Sequence, residues 1–191
     1  MASRYDDEIW ELVPDPGPPP AHLARFVRGL EPAGVALDLG CGDGRLAELL
    51  QARELTLADV SPVALQRARA RLPGATAVEL DPDAPLPLSD NAFELVLCAE
   101  TIEHVRDTQL LLSETRRVLR PGGRLALTTP AHGRVTALAM LARGLEAQLD
   151  PRSPHLRMLT RRSLATLLDE LGFHVASLRR DSGALLALAT R

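Results

Sequence analysis

Val35-Ala36-Leu37-Asp38-Leu39-Gly40-Cys41-Gly42-Asp43-Gly44 is the stretch whose reading decides the fold. Val35 to Leu39 is an apolar run interrupted only by Asp38, and it ends at three alternating glycines. Such a run reads as a buried strand. Glycines directly after it allow a tight turn and let a ligand approach the backbone. Asp59 follows Gly40 by 19 residues and lies near the end of the next strand pattern, Glu54–Val60. A carboxylate at that place accepts hydrogen bonds from ribose hydroxyls. Together the two signals point to an adenosine-containing ligand at the carboxyl ends of the first two strands. The alternative is a glycine-rich turn capped by acids, with no ligand.

Three features distinguish among adenosine ligands. A dinucleotide fingerprint has the spacing Gly-x-Gly-x-x-Gly, but here the third position is Arg45 and the spacing is Gly-x-Gly-x-Gly. A pyrophosphate at a helix N-terminus disfavours acids, whereas Asp38 and Asp43 flank this turn. They suit a ligand carrying a sulfonium and an ammonium. Finally, no segment is long enough to form a separate substrate domain. All three favour S-adenosylmethionine over a nicotinamide cofactor.

Outward from this stretch, strand and helix patterns alternate. Asp43–Arg53 carries Leu46, Leu49 and Leu50 at helical spacing, and Pro62–Leu72 reads as a helix with Ser61 as its N-cap. Ala75–Leu80, Phe93–Cys98 and Arg124–Thr129 read as strands. Thr108–Leu119 reads as a helix stopped by Pro121-Gly122-Gly123. A helix capped by Thr160 bears Leu164, Leu167, Leu168 and Leu171 on one stripe. His174–Arg180 and Ala184–Thr190 flank Asp181-Ser182-Gly183 as a terminal hairpin. Strands separated by helices imply a mostly parallel α/β sheet in a single domain. Residues 1–32 are expected to form an N-terminal segment with a helix bearing Leu23, Phe26, Val27 and Leu30 on one face, and residues 33–191 the main domain. In 131–158, Val135, Leu138, Leu141 and Leu145 make an apolar stripe. This segment is expected to be a lid and acceptor wall, its stripe packed on the core; a lipid or partner contact is the alternative.

The chain has 191 residues and a formal net charge of -3, and all 22 of its basic residues are Arg. The absence of Lys excludes a Schiff-base lysine and a P-loop lysine. The charge balance offers no electrostatic footprint for nucleic acid or an anionic membrane. Two cysteines, Cys41 and Cys98, are too few for a disulfide framework. No apolar run is long enough to span a bilayer, and Met1 to Trp10 is acidic, unlike a signal peptide. A cytoplasmic protein with two reduced thiols is the expectation.

The sequence resembles the class I S-adenosylmethionine-dependent methyltransferases, within the broad group acting on quinones and other small molecules. Four stretches carry the resemblance: Leu37–Gly44; Ala58-Asp59-Val60-Ser61-Pro62; Leu86–Val96; and Arg117-Val118-Leu119-Arg120-Pro121-Gly122-Gly123. It implies a Rossmann-like, doubly wound, seven-stranded sheet in the order 3-2-1-4-5-7-6, with strand 7 antiparallel and ligands at the switch point between strands 1 and 4. It also implies that Asp38, Gly40, Cys41, Gly42 and Gly44 lie around the methionine part of the cofactor. Asp59 and Val60 would sit at the ribose, Leu80 and Asp81 at the adenine, and Cys98, Ala99 and Glu100 on the floor beside the reactive methyl. The segment after Asp81, Pro82-Asp83-Ala84-Pro85, is one residue longer than the pattern. The family's N-terminal segment often covers the cofactor; here Tyr5 and Trp10 are its only aromatic residues before Phe26, and either covers the ligand or packs the segment on the body.

Methyl transfer from a sulfonium is a direct displacement in which alignment alone contributes roughly 7–11 kcal/mol, so no obvious base is required. Within Glu100-x-x-Glu103-His104, His104 is the candidate general base, with Glu100 beside it. The alternative is that these polar residues only fix the loop. A metal reading also exists: Glu100, Glu103, His104 and His155 resemble the ligand set of metal-dependent RNA 3′-end 2′-O-methyltransferases. Its RNA arm lacks a basic surface. His132 is expected in a solvated loop. A small-molecule acceptor is the main expectation; a non-catalytic cofactor-binding or scaffold subunit is the other alternative.

Overall fold

The computed structural model describes residues 7, 10–12, 17–144 and 155–191. Seven strands form one sheet: β1 Ala33–Leu39, β2 Ala52–Asp59, β3 Thr76–Glu79, β4 Phe93–Ala99, β5 Leu119–Pro130, β6 His174–Asp181 and β7 Ala184–Thr190. Their order is β3-β2-β1-β4-β5-β7-β6. The β3-β2-β1-β4-β5 pairings are parallel, and β7 runs antiparallel to both β5 and β6. The expected order and the antiparallel seventh strand are both present. Ser182 and Gly183, at φ 48° and 89°, make the tight β6–β7 turn, since two left-handed residues match the twist of a two-residue hairpin.

The helices α1 Ala21–Arg28, α2 Pro62–Arg71, α3 Thr108–Val118, α4 Arg134–Arg143 and α5 Arg161–Glu170 accompany the sheet. Ser61 caps α2 by accepting from the Ala64 amide at 3.1 Å. Thr160 caps α5 by accepting from the Ser163 amide at 3.1 Å. Alternate residues of the central strands face opposite ways, so each apolar run feeds two cores. Leu37, Leu39, Val96 and Cys98 join Leu112 and Val118 of α3, Leu164 and Leu168 of α5, and Phe173. Ala36, Leu95 and Leu97 join Leu23, Phe26 and Val27 of α1.

The helix expected over 43–53 is absent. Only a 3-10 turn, Ala47–Leu49, occupies it, and Leu50 is already extended at φ -72°, ψ 139°. The register explains why. Ala33 pairs with Ala52 and Leu39 with Ala58, so the chain must return the whole length of β1 before β2 begins. Seven α-helical residues would advance only about 10 Å, whereas a seven-residue strand spans about 23 Å. The leucine spacing is real, but Leu46, Leu49 and Leu50 pack beside the α1 core from the 3-10 turn and its two ends. Pro121-Gly122-Gly123 differs less. It lies within the long β5 as an irregularity, between the pairs Phe93↔Leu119 and Leu95↔Arg124. Two members of the stripe in 131–158 do not pack on the core as expected: Leu138 and Leu141 of α4 are 67% and 86% exposed. The Val135 side chain and Leu145 lie outside the described residues, as does Tyr5.

Phe173 is 2% exposed and fills the core between α5 and the sheet. Phe173→Ala is expected to destabilise the fold by about 3–5 kcal/mol, read as a lower urea midpoint with an unchanged slope.

Candidate active site

The carboxyl ends of β1, β2, β4 and β5 meet at one edge of the sheet, on either side of the reversal in strand order. The turn after β1 is built by glycine. Gly40, Gly42 and Gly44 have φ 76°, 53° and 78°. Two of them are also sites of close approach: a Cβ on Gly40 would lie 2.4 Å from the Thr101 side chain, and one on Gly42 would lie 2.7 Å from the Trp10 ring. The amides of Gly40 and Cys41 both donate to the Ala58 carbonyl, at 2.8 and 3.1 Å.

Asp59 joins this turn to α2. One carboxylate oxygen accepts from the Gly42 amide at 2.8 Å and the other from the Ser61 amide at 3.0 Å. The Leu80 amide donates to the Asp59 carbonyl at 2.9 Å, which sets Leu80 and Asp81 beside it. Asp81 is exposed, and its carboxylate accepts from the Asp83 amide at 2.9 Å, so the longer segment after it closes as a compact turn. Val60 is half-buried at the same edge.

Four expected residues, two acids and two thiols, differ in their surroundings. Asp43 is buried at 3% exposure, but Arg45 at 3.0 Å and Arg71 at 3.3 Å neutralise it. With no helix starting there, it is a structural acid and not a ligand-facing one. Asp38 is 2% exposed and has one carboxylate oxygen without a hydrogen-bond partner. Burial, reinforced by the nearby Asp59 charge, pushes its pKa up to about 8. The Cys41 thiol packs inward with Leu57 and Leu65, and the Cys98 thiol packs with Leu37 and Leu39. Burial raises both thiols far above their ordinary range, so they stay protonated and inert.

A second group of polar residues follows β4. Ala99 is buried at the strand end. Glu100 adopts φ 52° and accepts from the Thr128 hydroxyl at 2.8 Å. Burial raises its pKa, opposed by that hydrogen bond and by the charges of His22 and His155. Glu103 is 1% exposed; one oxygen accepts from the Thr129 hydroxyl at 3.0 Å, and the other has no hydrogen-bond partner. Burial lifts its pKa to about 7, with the Glu100 charge adding to the rise. The Leu156 amide donates to the Glu103 carbonyl at 2.8 Å and brings His155 alongside, its ring centroid 4.9 Å from that of His104. Glu103, His104 and His155 have ligand atoms all within 4.8 Å of one another; Glu100 is not in that set. His132 is half-buried, and burial lowers its pKa, with the His155 charge adding to the effect.

Sequence reasoning overlooked His22, Thr101, Thr128 and Thr129. Thr128 and Thr129 close the apolar run of β5 and so carried a visible polar signal. His22 reaches Glu100 from α1 only through the tertiary fold. Trp10 packs against the body at Gly42, the second of the two roles expected for it, while Arg67 donates to its carbonyl at 2.6 Å and sits 5.9 Å from its ring centroid.

The model of the methyltransferase domain family matches residues 15–178. The chain belongs to the methyltransferase domain family. It is 32% identical over 184 residues to a malonyl-acyl-carrier-protein O-methyltransferase of Methylococcus capsulatus, covering 90% of this chain and 60% of that protein. A ubiquinone biosynthesis O-methyltransferase of Xanthomonas axonopodis is 31% identical over 166 residues, 81% of this chain and 68% of its own. The chain spans 51% of a Mycolicibacterium smegmatis relative, so it matches about half to two thirds of the length of these proteins. In fold, an S-adenosylmethionine-dependent methyltransferase from Aquifex aeolicus superposes with a TM-score of 0.69 at 17% identity, covering 96% of this chain and 97% of its own. Among the described residues of this methyltransferase domain, no helix is long and apolar enough to cross a membrane.

Gly40 and Gly122 share φ 76°, but a Cβ on Gly122 meets nothing within 4 Å. Gly40→Ala is therefore expected to lower the melting temperature clearly more than Gly122→Ala, because both bear the left-handed strain and only the first also collides with Thr101. Thermal melts of the two variants beside wild type check this.

Proposed function

We propose that this chain binds S-adenosylmethionine at the β1–β2 edge and transfers its methyl group to a small-molecule acceptor. The observation that carries the reading is the unpartnered oxygen of buried Asp38 beside the glycine turn. A buried carboxylate lacking a partner is costly, and an ammonium offers both the charge and the hydrogen bonds. The glycine cradle and Asp59 supply the rest of a fitting donor set. Backbone at Gly40 and Gly42 can lie under the methionine part, Asp59 can accept from the ribose hydroxyls, and Leu80 with Asp81 can flank the adenine.

The cofactor supplies a methyl group activated by a sulfonium. The protein's contribution is orientation, water exclusion and proton handling. Trp10 covers the turn. Glu100 and His104 lie at the end of β4, where an acceptor would meet the methyl group. His104 is more than a third exposed and can take a proton from the acceptor and pass it to solvent. The relatives' names support an acceptor of metabolite type, and the net charge of -3 weighs against RNA. A catalytic role also explains the polar cluster after β4, which a scaffold would not need. Cytoplasmic residence and the division at residue 33 belong to this same reading.

Calorimetry is expected to show binding of S-adenosylmethionine and S-adenosylhomocysteine and no binding of NADH. Asp59→Ala should weaken affinity at least tenfold, about 1.4 kcal/mol. Failure of well-folded protein to bind either adenosyl ligand would overturn the proposal.

Asp38 gives a pH signature. In the free protein at pH 7 it holds its proton, because its pKa is near 8. An ammonium beside it favours the carboxylate, so binding at pH 7 should release up to one proton, and none well above pH 8. Calorimetry in buffers of different ionisation enthalpy measures this, and Asp38→Asn should abolish it. Without ligand, the folded chain keeps a proton that the unfolded chain loses near pH 4. Asp38 should therefore make the fold progressively less stable from about pH 4 to 8.

A further inference from the structure

We propose that Glu103, His104 and His155 form a divalent-cation site whose open face receives an oxygen atom of the acceptor. The part concerning the acceptor rests on the methyl-transfer reading; the cation site itself does not.

Among the described residues this is the one cluster of metal-ligating side chains, one carboxylate and two imidazoles with ligand atoms within 4.8 Å of one another. That set suits a first-row divalent ion of the zinc, cobalt or manganese kind. Calcium and magnesium favour oxygen ligands throughout. Proximity alone would not make a site. The independent observation is Glu103: its side chain is 2% exposed, and its free oxygen lies 3.9 Å from His104 Nε2, too far for a hydrogen bond. The other oxygen is fixed by the Thr129 hydroxyl at 3.0 Å. One oxygen is thus oriented by a neighbour while the second, facing the His104 ring, has no hydrogen-bond partner, the usual arrangement behind a metal-binding carboxylate.

The third ligand arrives by design of the fold. His155 is 51 residues from His104 in the sequence, yet the Leu156 amide pins its segment to the Glu103 carbonyl at 2.8 Å. The rings are tilted by 45° and do not stack face to face. Both imidazoles are exposed whereas Glu103 is buried, so the protein closes one side of the cluster and leaves the other open. Three protein ligands with an open side match sites that bind a substrate or water. The position favours the substrate. Thr101, within the same turn, touches the Gly40 loop, and Glu100 is held by Thr128 next to the cluster. The acceptor class that follows is a small molecule with a hydroxyl, enol or carboxyl oxygen, and the site assigns that oxygen a place on the cation, with His104 then serving as a ligand and not as the acceptor's base.

The test uses the full chain stripped with a chelator and titrated with Co2+, followed by visible absorption, with Zn2+ competition by calorimetry. A saturable spectrum at one equivalent, weakened at least tenfold by both Glu103→Gln and His155→Ala, is expected. Thr129→Val should weaken it roughly 10- to 100-fold. His155→Ala changes an exposed side chain, so its outcome stands even where Glu103→Gln unfolds. No saturable spectrum, or one unchanged by both substitutions, would overturn the site. S-adenosylhomocysteine binding is measured on the same samples. Cobalt binding without nucleoside binding upholds the cation site and sinks the methyl-transfer reading; the reverse sinks the cation site alone.

Discussion

The carboxylate of Asp59 spans three elements. Its oxygens take the Gly42 and Ser61 amides, so the turn after β1, the end of β2 and the start of α2 share one anchor. Such charge-assisted bonds are about twice as strong as neutral ones. The anchor also sets the shape of the ligand edge. The Gly42 amide on the Asp59 carboxylate holds the turn after β1 against β2, and the Leu80 amide on the Asp59 carbonyl draws the end of β3 to the same place. Asp59 therefore orders the proposed site through the fold itself, which reduces the ordering cost of binding.

Asp38 and Asp43 show how one short stretch treats two acids in opposite ways. Both are buried, at 2% and 3% exposure. Asp43 is satisfied by Arg45 and Arg71, so its charge belongs to the fold. Asp38 keeps an oxygen unpaired, and so does Glu103 on the acceptor side. These are the two unpartnered buried side-chain atoms among the described residues, and both lie at the sheet edge where the site is proposed. Elsewhere the fold satisfies its polar groups closely, as the Arg117 guanidinium does by bonding Glu114, Asp90 and two backbone carbonyls.

Much of the architecture was legible because local chemistry and global pattern agree. Apolar runs became the buried strands, Ser61 and Thr160 became caps, and Asp181-Ser182-Gly183 became the hairpin turn. The sheet order was legible only through family resemblance, since no periodicity encodes which strands are neighbours. Reading Leu46, Leu49 and Leu50 as a helix failed because spacing carries no information about the distance a connection must cover. At the site, Asp59 and the glycines were visible as a local motif. The convergence of His155 on Glu103 was visible only by resemblance, and His22 beside Glu100 not at all, because both depend on contacts between distant segments. Nor could a sequence show that Asp43 would be neutralised and Asp38 left alone.

The Trp10 ring over Gly42 has a kinetic consequence. Among the described residues, Arg67 donates to the Trp10 carbonyl, and Asp7 accepts from the Ser61 hydroxyl and the Val63 amide. A ligand seated at this turn in the proposed reaction would lie beside the ring, so its exchange would require Trp10 to lift from Gly42, a step separate from the displacement itself.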